Sequence, residues 1–371
     1  MEHTITILIG SIATFTCLLY CTRIWYWHTI WRKTPSFYPP ANNPSSLPSI
    51  SVLIPFRDEG SNLSALLESL TIQKGSDWEI ILIDDHSTDN SLSVIESYRK
   101  QLPLKVLTNH GEGKKAALLT GAKVAVGEYL LMSDADCTMP DSWITGFQQW
   151  IATKQPDLVI GPVSLTGHDS FFHRFQKRDF LALQISGASA ALNKRPIMSN
   201  GANLACKCEL FLAANLKTAF ASGDDMFLLE WMKQQQKSIT FLKSTSAMVS
   251  TTTEKTWAAF FAQRARWASK AKGYKDRDII SIGLLVAITN TLLPACLLLS
   301  IANPLMLITW LFLFLIKTIS DFQLLRKGLY FWKHRDQLGE FMLTQLFYPL
   351  YILITIAYPI FQPLHWKKRA I

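Results

Sequence analysis

Short apolar runs alternate with amphipathic stretches in the first half of the chain, and this alternation predicts strands followed by helices. The first run, Ile50–Pro55, precedes a stretch in which leucines recur at helical spacing from Asn62. The second run, Glu79–Ile83, precedes another amphipathic stretch that reaches Tyr98. Further apolar runs follow at Leu104–Leu107, Tyr129–Ser133 and Leu158–Ile160. Near-continuous hydrophobic strands that alternate with helices are typical of a mostly parallel sheet covered on both faces, so the fold class is α/β.

A longer apolar segment at the start of the chain predicts a membrane anchor. Thr4–Tyr20 is almost wholly apolar, and Arg23, the aromatic cluster Trp25–Trp27 and the basic end Trp31–Lys33 follow it. Aromatic and basic residues together mark a membrane interface. The basic residues come after the apolar core rather than before it, so an uncleaved anchor is favoured over a cleaved signal peptide. We expect the N-terminus outside and Arg23–Lys33 in the cytoplasm.

Two further apolar segments near the end of the chain predict a helical hairpin in the membrane. Ile279–Ile301 and Leu305–Ile319 are each close to spanning length, with a short turn at Asn303 and Pro304 between them. The next loop is expected to be basic, and therefore cytoplasmic, because of Lys317, Arg326, Lys327, Lys333 and Arg335.

The last apolar stretch, Phe341–Phe361, leaves two topologies open. It contains Pro349 and Pro359 and is followed by the basic segment His365–Arg369. A single crossing would leave that basic segment outside, against the positive-inside rule. A re-entrant or in-plane segment would keep it in the cytoplasm.

These segments divide the 371 residues into four predicted parts. They are an N-terminal transmembrane anchor (1–33), a linker rich in Pro, Ser and Asn (34–48), an α/β domain (49–276) and a C-terminal membrane region (277–371). The net charge of +9 does not indicate nucleic acid, because much of the excess flanks apolar segments, where it can bind anionic lipid headgroups. The six cysteines form no Cys-x-x-Cys pair, so neither a zinc site nor a disulfide framework is predicted.

Two of the predicted strands end in pairs of aspartates. Asp84 and Asp85 follow the second strand, and Asp134 and Asp136 follow Ser133. In open α/β sheets ligands bind outside the carboxyl ends of the strands, and Mg²⁺-type ions are held by one or two carboxylates together with substrate phosphates. Neither motif contains a lysine that could neutralise this charge. The pattern therefore predicts a divalent cation bound with a diphosphate, although an isolated Asp-x-Asp is also compatible with a solvated turn.

A glycine- and lysine-rich segment lies between these two motifs. Gly111–Lys115 opens a predicted helix that continues to Gly121. Free backbone N–H groups and the helix dipole favour negative charge at a helix N-terminus, so this segment is a plausible phosphate site. Its spacing is not that of a Walker loop, which argues against a P-loop ATPase.

Six motifs occur in an order that is similar to that of the family 2 glycosyltransferases. The motifs are Ser51–Glu59, Asp84–Asp89, Gly113–Lys114, Asp134–Asp136, Gly223–Asp225 and Gln263–Trp267. The match covers roughly residues 49 to 273 and resembles a processive or lipid-linked enzyme of the membrane-anchored bacterial type. The resemblance implies a GT-A catalytic domain, Rossmann-like with a mostly parallel sheet, and a nucleotide-sugar donor.

The resemblance implies donor-binding roles for Pro55, Glu59, Asp84, Asp85, Lys114 and Asp134. Asp84 and Asp85 would contact the nucleobase. Lys114 would lie near the base or the phosphates, and Asp134 would approach the ribose. Asp136, together with Asp134, would bind the Mg²⁺ or Mn²⁺ that neutralises charge on the departing nucleoside diphosphate.

The later motifs imply the catalytic base and the acceptor site. Asp225 would be the general base, and Asp224 stands where the family commonly has glutamate. The implied acceptor and diphosphate residues are Gln263, Arg266, Trp267, Asn200 and Gly201. Taken alone, Gln263–Trp267 is also compatible with an amphipathic helix at the membrane surface.

The resemblance thus implies an inverting glycosyltransferase, and the apolar segments predict that it crosses the inner membrane several times and has a cytoplasmic catalytic domain. Its expected partners are a nucleotide-sugar donor, a lipid-linked or saccharide acceptor and membrane lipids, with no nucleic acid. One alternative is a processive polysaccharide synthase, although three or four apolar segments are few for a polymer channel. The other is a non-catalytic membrane scaffold of the same fold, which would not need all of the motif residues.

Overall fold

The computed structural model describes residues 2–39, 46–217, 223–334, 338–361, 365–366 and 369–370. The chain divides into two compact units. The first, called the sheet unit below, comprises Pro35–Gly167 and Ala191–Thr253. The second, called the membrane unit, comprises Met1–Thr34, His168–Ala190 and Glu254–Ile371. The boundaries between the four parts expected from the sequence stay predictions.

The elements are numbered in chain order. The α-helices of the described residues are α1 (Glu2–Lys33), α2 (Gly60–Thr71), α3 (Ser91–Tyr98), α4 (Lys114–Ala122), α5 (Trp143–Lys154), α6 (Phe171–Leu192), α7 (Cys208–Ala213), α8 (Asp224–Gln234), α9 (Trp257–Ser269), α10 (Arg277–Leu299), α11 (Leu305–Phe331) and α12 (Leu338–Phe361). The strands are β1 (Ile50–Phe56), β2 (Trp78–Asp84), β3 (Leu104–Thr108), β4 (Tyr129–Met132), β5 (Leu158–Ile160), β6 (Val163–Thr166), β7 (Leu204–Lys207), β8 (Ile239–Phe241), β9 (Val249–Thr252), β10 (His365–Trp366) and β11 (Arg369–Ala370).

A seven-stranded sheet forms the core of the sheet unit, with the strand order β3-β2-β1-β4-β7-β5-β8. Its neighbouring strands are parallel except at β7, which runs antiparallel to both β4 and β5. Every residue of β1, β4 and β5 is buried, as expected for central strands covered on both faces. The predicted mostly parallel sheet is confirmed, and the antiparallel β7 is an addition that the apolar pattern did not indicate.

The strand register brings the carboxyl ends of the first strands to one edge of the sheet. Phe56 at the end of β1 lies opposite Asp84 of β2, and Thr108 of β3 lies opposite the same aspartate. On the other side of β1, Leu53 pairs with Met132, the last residue of β4. Both aspartate motifs therefore begin at the same edge.

The membrane unit contains the apolar helices. Among the described residues, four helices are long and apolar enough to cross a membrane, namely Thr6–Lys33, Arg277–Leu299, Leu305–Phe331 and Glu340–Pro359. Helix α1 packs against α10 and α11, which themselves pack against each other, and α10 also packs against α12. The expected apolar helices at both ends of the chain are confirmed. Whether α12 crosses the bilayer or lies in its plane stays a prediction.

The prediction of a basic loop directly after Ile319 is wrong. Helix α11 continues to Phe331 and includes Lys317, Arg326 and Lys327, while Lys333 follows the helix and Arg335 lies outside the described residues.

For Lys317 the reason is a buried charge pair. Lys317 is only 2% exposed, and its Nζ donates to Oδ2 of Asp321 at 2.7 Å and to Oε1 of Gln345 at 3.1 Å. Because Asp321 lies one turn further along the same helix, it compensates the charge that would otherwise have ended the apolar segment.

Candidate functional site

The carboxylate of Asp85 lies at the carboxyl edge of the sheet and is held by the start of α4. Its Oδ1 accepts a hydrogen bond from Nδ2 of Asn109 at 2.7 Å and another from the backbone N–H of Gly113 at 2.9 Å. Asp84 is also buried, and its Oδ1 accepts from the backbone N–H of Ser87 at 2.9 Å. The sequence pattern does not single out Asn109, although its place directly after β3 is a usable signal. Both aspartates predicted to contact the nucleobase are thus buried at this edge.

The upstream motif that is predicted to bind the donor occupies the end of β1 and the turn after it. Pro55 is buried in β1 opposite Ile83 of β2. Glu59 directly precedes α2, and its Oε2 accepts from Nδ2 of Asn62 at 2.6 Å. Pro55 and Glu59 therefore lie on the same edge as the aspartates of β2.

Lys114, the first residue of α4, joins the predicted donor and base residues. Its Nζ lies 2.5 Å from Oδ1 of Asp134 and 3.7 Å from Oδ2 of Asp224. Burial by itself favours the neutral amine, but the carboxylates around Lys114 outweigh burial and raise its pKa above the ordinary value. Neither aspartate motif contains a lysine of its own, and the tertiary structure supplies one from α4.

The loop at Asn200 and Gly201 lies against this lysine. A Cβ atom at Gly201 would be 3.0 Å from Nζ of Lys114 and 3.1 Å from Oδ2 of Asp224, so a side chain here would crowd both groups. Oδ1 of Asn200 accepts from the backbone N–H of Ala202 at 3.0 Å and closes the turn. The structure therefore brings the predicted acceptor residues Asn200 and Gly201 together with the predicted donor and base residues.

The two acids of the proposed base motif open α8. Gly223 precedes them with a φ of 90°, in the left-handed region that favours glycine. Asp224 is buried and Asp225 is half-buried. The hydroxyl of Ser199 donates to the backbone carbonyl of Asp225 at 2.8 Å. The first turn of a helix stabilises negative charge, so both carboxylates are favourably placed as anions.

Asp136, the predicted metal ligand, follows β4 with an exposed side chain. Its Oδ2 accepts from Oγ1 of Thr251 at 3.2 Å. Desolvation by the surrounding protein and repulsion from the carboxylates of Asp134 and Glu59 raise the pKa of Asp136 to about 6. Carboxylates that repel one another in this way are favourable neighbours for a cation.

The chemistry of these side chains fits a cation that is shared with a substrate. Among the residues that the structure describes, no group of three or more His, Cys, Asp or Glu side chains could hold a metal ion by itself. Asp134 and Asp136 supply two carboxylates, and Mg²⁺ usually completes its octahedral shell with substrate phosphates and water. The pair therefore fits a diphosphate-bridging cation rather than a metal site made wholly of protein ligands.

The remaining predicted residues, Gln263, Arg266 and Trp267, lie on α9 in the membrane unit. Nε2 of Gln263 donates to Oε1 of Glu254 at 2.6 Å, and the side chains of Arg266 and Trp267 are half-buried. Arg264, which lies within the same motif but has no role predicted from the sequence, is the buried arginine of this helix. Its guanidinium carbon lies 4.3 Å from the centroid of a Trp267 ring.

Arg264 forms a buried ion pair that holds α9 within the membrane unit. Its Nε lies 2.7 Å from Oδ2 of Asp179 on α6. Asp179 also accepts hydrogen bonds from the hydroxyls of Tyr348 at 3.3 Å and Tyr351 at 3.2 Å, both on α12. Three helices of the membrane unit are thus joined at one carboxylate.

We expect Asp179→Ala to destabilise the membrane unit by about 3–5 kcal/mol, because it leaves the charge of Arg264 buried without its partner. Replacing both partners, as Asp179→Leu with Arg264→Met, should restore much of this loss. Thermal unfolding of the purified protein in detergent measures both variants. An equal loss in the single and double variants would contradict the ion-pair explanation.

Comparison with known proteins finds similarity over part of the chain. Residues 51–216 match the family model described as Glycosyl transferase family 2. The undecaprenyl-phosphate 4-deoxy-4-formamido-L-arabinose transferase of Pectobacterium carotovorum is 31% identical over 136 residues, which are 35% of this chain and 41% of the relative. The poly(ribitol-phosphate) beta-N-acetylglucosaminyltransferase TarP of Staphylococcus aureus is 30% identical over 122 residues, which are 32% of this chain and 37% of the relative. The chain thus spans only about two fifths of the length of these relatives.

A solved structure shares the fold over nearly the whole chain. The mannosyltransferase PcManGT from Pyrobaculum calidifontis, in complex with GDP-Man and Mn²⁺, superposes with a TM-score of 0.60 at 18% identity. The match covers 97% of this chain and 99% of that protein. The family model, the shared fold and the ordered motifs agree with one another. Residues 51–216 are therefore similar to the family 2 glycosyltransferases, and the chain shares the fold of the PcManGT structure.

Proposed function

We propose that this protein is a metal-dependent, inverting glycosyltransferase that moves a sugar from a nucleotide-sugar donor to a lipid-linked or membrane-delivered acceptor. The observation that carries the proposal is the position of Lys114, which contacts both Asp134 of the donor motif and Asp224 of the base motif. Relatives named as acting on undecaprenyl phosphate and on poly(ribitol phosphate) support an acceptor of this class.

In the proposed reaction Asp225 accepts the proton of the acceptor hydroxyl. The acceptor oxygen then forms a bond to the anomeric carbon of the sugar while the bond from that carbon to the diphosphate oxygen breaks. The bonding electron pair leaves with the nucleoside diphosphate, and a single displacement of this kind inverts the anomeric configuration. Asp225 is suited to this role because it lies half-buried in the first turn of α8, beside the site of Lys114.

The donor is proposed to bind along the carboxyl edge of the sheet. Asp84 and Asp85 contact the nucleobase, and Asp85 is oriented for this by its hydrogen bonds from Asn109 and Gly113. Lys114, whose pKa is raised, carries a positive charge toward the phosphates. Mg²⁺ or Mn²⁺, held by the carboxylates that follow β4, would neutralise charge on the leaving diphosphate.

The acceptor is proposed to be recognised by the motif on α9. Arg266 can form paired hydrogen bonds with phosphate oxygens, and Trp267 can stack against a sugar ring. Gln263 adds an amide to the same motif. The four apolar helices would hold the protein in the inner membrane, where a lipid-linked acceptor is available.

The direct test supplies membranes containing the protein with a panel of nucleotide sugars and identifies the products by mass spectrometry. We expect one glycosylated lipid or saccharide whose mass increases by a single sugar residue. Membranes carrying the Asp225→Asn variant provide the matched control. A polymer ladder would favour the processive synthase instead, and the absence of any product across the panel would favour the non-catalytic scaffold.

The proposed topology predicts where an introduced cysteine can be labelled. Nucleotide sugars are made in the cytoplasm, and the basic residues flanking the apolar segments support a catalytic domain on that side. Ser93 is exposed on α3 of the sheet unit. We expect Ser93→Cys to resist a membrane-impermeant thiol reagent in intact cells and to react once the cells are opened.

Ala302→Cys is the matched control, because Ala302 is exposed in the turn between α10 and α11. It should react in intact cells, whereas the parent protein with its natural cysteines defines the background. Labelling of Ser93→Cys in intact cells would show that the topology is the reverse of the proposed one, with the proposed site on the opposite side of the membrane from its donor.

A further inference from the structure

Lys115 is a buried lysine beside Lys114 that the proposed mechanism does not use. It is the second residue of α4 and only 5% exposed. Its Nζ donates to the backbone carbonyl of Lys217 at 2.9 Å and lies 4.7 Å from the centroid of the Phe227 ring. The two adjacent lysines thus contact different groups: Lys114 contacts the carboxylates of Asp134 and Asp224, and Lys115 contacts the Phe227 ring and the backbone of Lys217.

A second lysine contacts the same aromatic ring. Nζ of Lys217 lies 4.8 Å from the centroid of Phe227 and 2.5 Å from Oε2 of Glu230. Phe227 and Glu230, both on α8, are 0% and 1% exposed. We call Lys115, Lys217, Phe227 and Glu230 the α4–α8 clamp, because they connect the first turn of α4 with the first two turns of α8.

Phe227 of the clamp lies within one helical turn of the proposed base. The backbone N–H of Phe227 donates to the carbonyl of Gly223 at 2.9 Å, so the Phe227 ring is attached to the turn that presents Asp224 and Asp225. A shift of α8 along or around its axis would therefore move both carboxylates. Misplacement of a catalytic group by about 1 Å can cost about 10²-fold in rate.

The chemistry of the clamp favours a geometric role over a purely stabilising one. Burying a lysine carries a desolvation penalty, and apolar residues of similar volume often stabilise a core equally well. The hydrogen bond from Lys115 orients its ammonium group, and the cation–π contact of that group with Phe227 is directional, so it constrains where α8 lies relative to α4.

We propose that Lys115 is a positioning residue for sugar transfer, which places Asp225 through the α4–α8 clamp and does not bind the donor phosphates. This inference rests on the proposed function, in which Asp225 is the general base. It assigns the two lysines of the Gly113-Lys114-Lys115 segment to different tasks, with Lys114 at the carboxylates of Asp134 and Asp224 and Lys115 against the Phe227 ring of α8.

The test compares Lys115→Met, which keeps most of the side-chain volume but removes the charge and its hydrogen bond, with the parent protein. We expect kcat, measured with the donor that the nucleotide-sugar panel identifies, to fall about 10-fold or more. The KM for that donor and the calorimetric affinities for UDP and GDP with Mn²⁺ should stay unchanged. Lys115→Arg should recover part of the rate, because it restores a charged donor.

Lys123→Met is the matched control, since Lys123 lies exposed just after the same helix and should give parental values. Nucleotide affinity that falls together with kcat would make Lys115 a phosphate ligand and overturn the proposal, as would a folded Lys115→Met variant with parental kcat. If Lys115→Met fails to fold, Lys217→Met tests the same clamp and should lower kcat without changing nucleotide affinity. Asp225→Asn tests the proposed base separately. If that variant keeps the parental kcat, the assignment of Asp225 as the base is wrong.

Discussion

Asp225→Asn is expected to lower the rate of sugar transfer by about 10² to 10⁴, the loss typical of removing a general base. The amide has nearly the shape of the carboxylate but cannot accept the proton of the acceptor hydroxyl. Gly223 and the hydrogen bond from Ser199 to the backbone of residue 225 remain, so α8 should begin at the same place. Initial rates and donor affinity, measured on the same preparation, separate the chemical step from binding.

Asp224→Asn is the informative companion variant. Asp224 is buried and lies 3.7 Å from Nζ of Lys114, so its loss should disturb the charge balance around Lys114 and affect donor binding as well as rate. In the opposite pattern, Asp225→Asn would lose donor affinity and Asp224→Asn would lose only rate. That result would make Asp224 the general base and would assign Asp225 to the donor site.

Asp136→Ala is expected to abolish turnover and metal-dependent donor binding while the sheet unit stays folded. The side chain is exposed and accepts a hydrogen bond from the hydroxyl of Thr251, so its removal should have little effect on stability. The functional effect should be large, because the diphosphate would lose a carboxylate that helps to hold its cation. Donor binding with Mn²⁺ and with EDTA, together with thermal unfolding, measures both parts of this prediction.

Asp141→Ala serves as the control for a general loss of negative charge. Asp141 belongs to the same unit, and its 45% exposed side chain forms a surface ion pair with Lys74, which contributes little to stability. It should retain parental turnover and metal dependence. Full activity of Asp136→Ala, or of the parent protein in EDTA, would show that the metal assignment is wrong.

The local pattern of the sequence is sufficient for the elements that position the donor motifs. The strands β1, β2 and β4 appear as apolar runs because their residues, apart from Trp78 and Glu79 at the start of β2, are buried. Since parallel strands end at a common edge, the apolar runs alone predict that the aspartates after β2 and β4 lie together. The short strand β7 was not predicted, because four residues without an alternating pattern of apolar and polar side chains carry too little local information.

The contacts inside the site are decided by tertiary structure. The sequence shows Lys114 beside Lys115 at a helix N-terminus and suggests phosphate binding for the segment as a whole. The fold separates them, since Lys114 contacts Asp134 and Asp224 whereas Lys115 is buried against Phe227. The direction of a side chain depends on which distant segment packs above it, and residues far apart in the chain leave no local signal of that packing.

For charged residues of the membrane unit, too, the sequence shows where a charge lies along the chain, and the tertiary structure decides which group it contacts. Lys317 resembles the start of a basic loop, because a lysine at the end of an apolar run is usually solvated. The structure instead buries it beside Asp321 and Gln345, and it buries Arg264 beside Asp179. The sequence by itself determined the α/β order, the apolar helices and the ordered motifs, since each depends on neighbouring residues. Only the tertiary structure decided which charges are paired, because a charge becomes compatible with burial only when packing brings its partner within hydrogen-bonding distance.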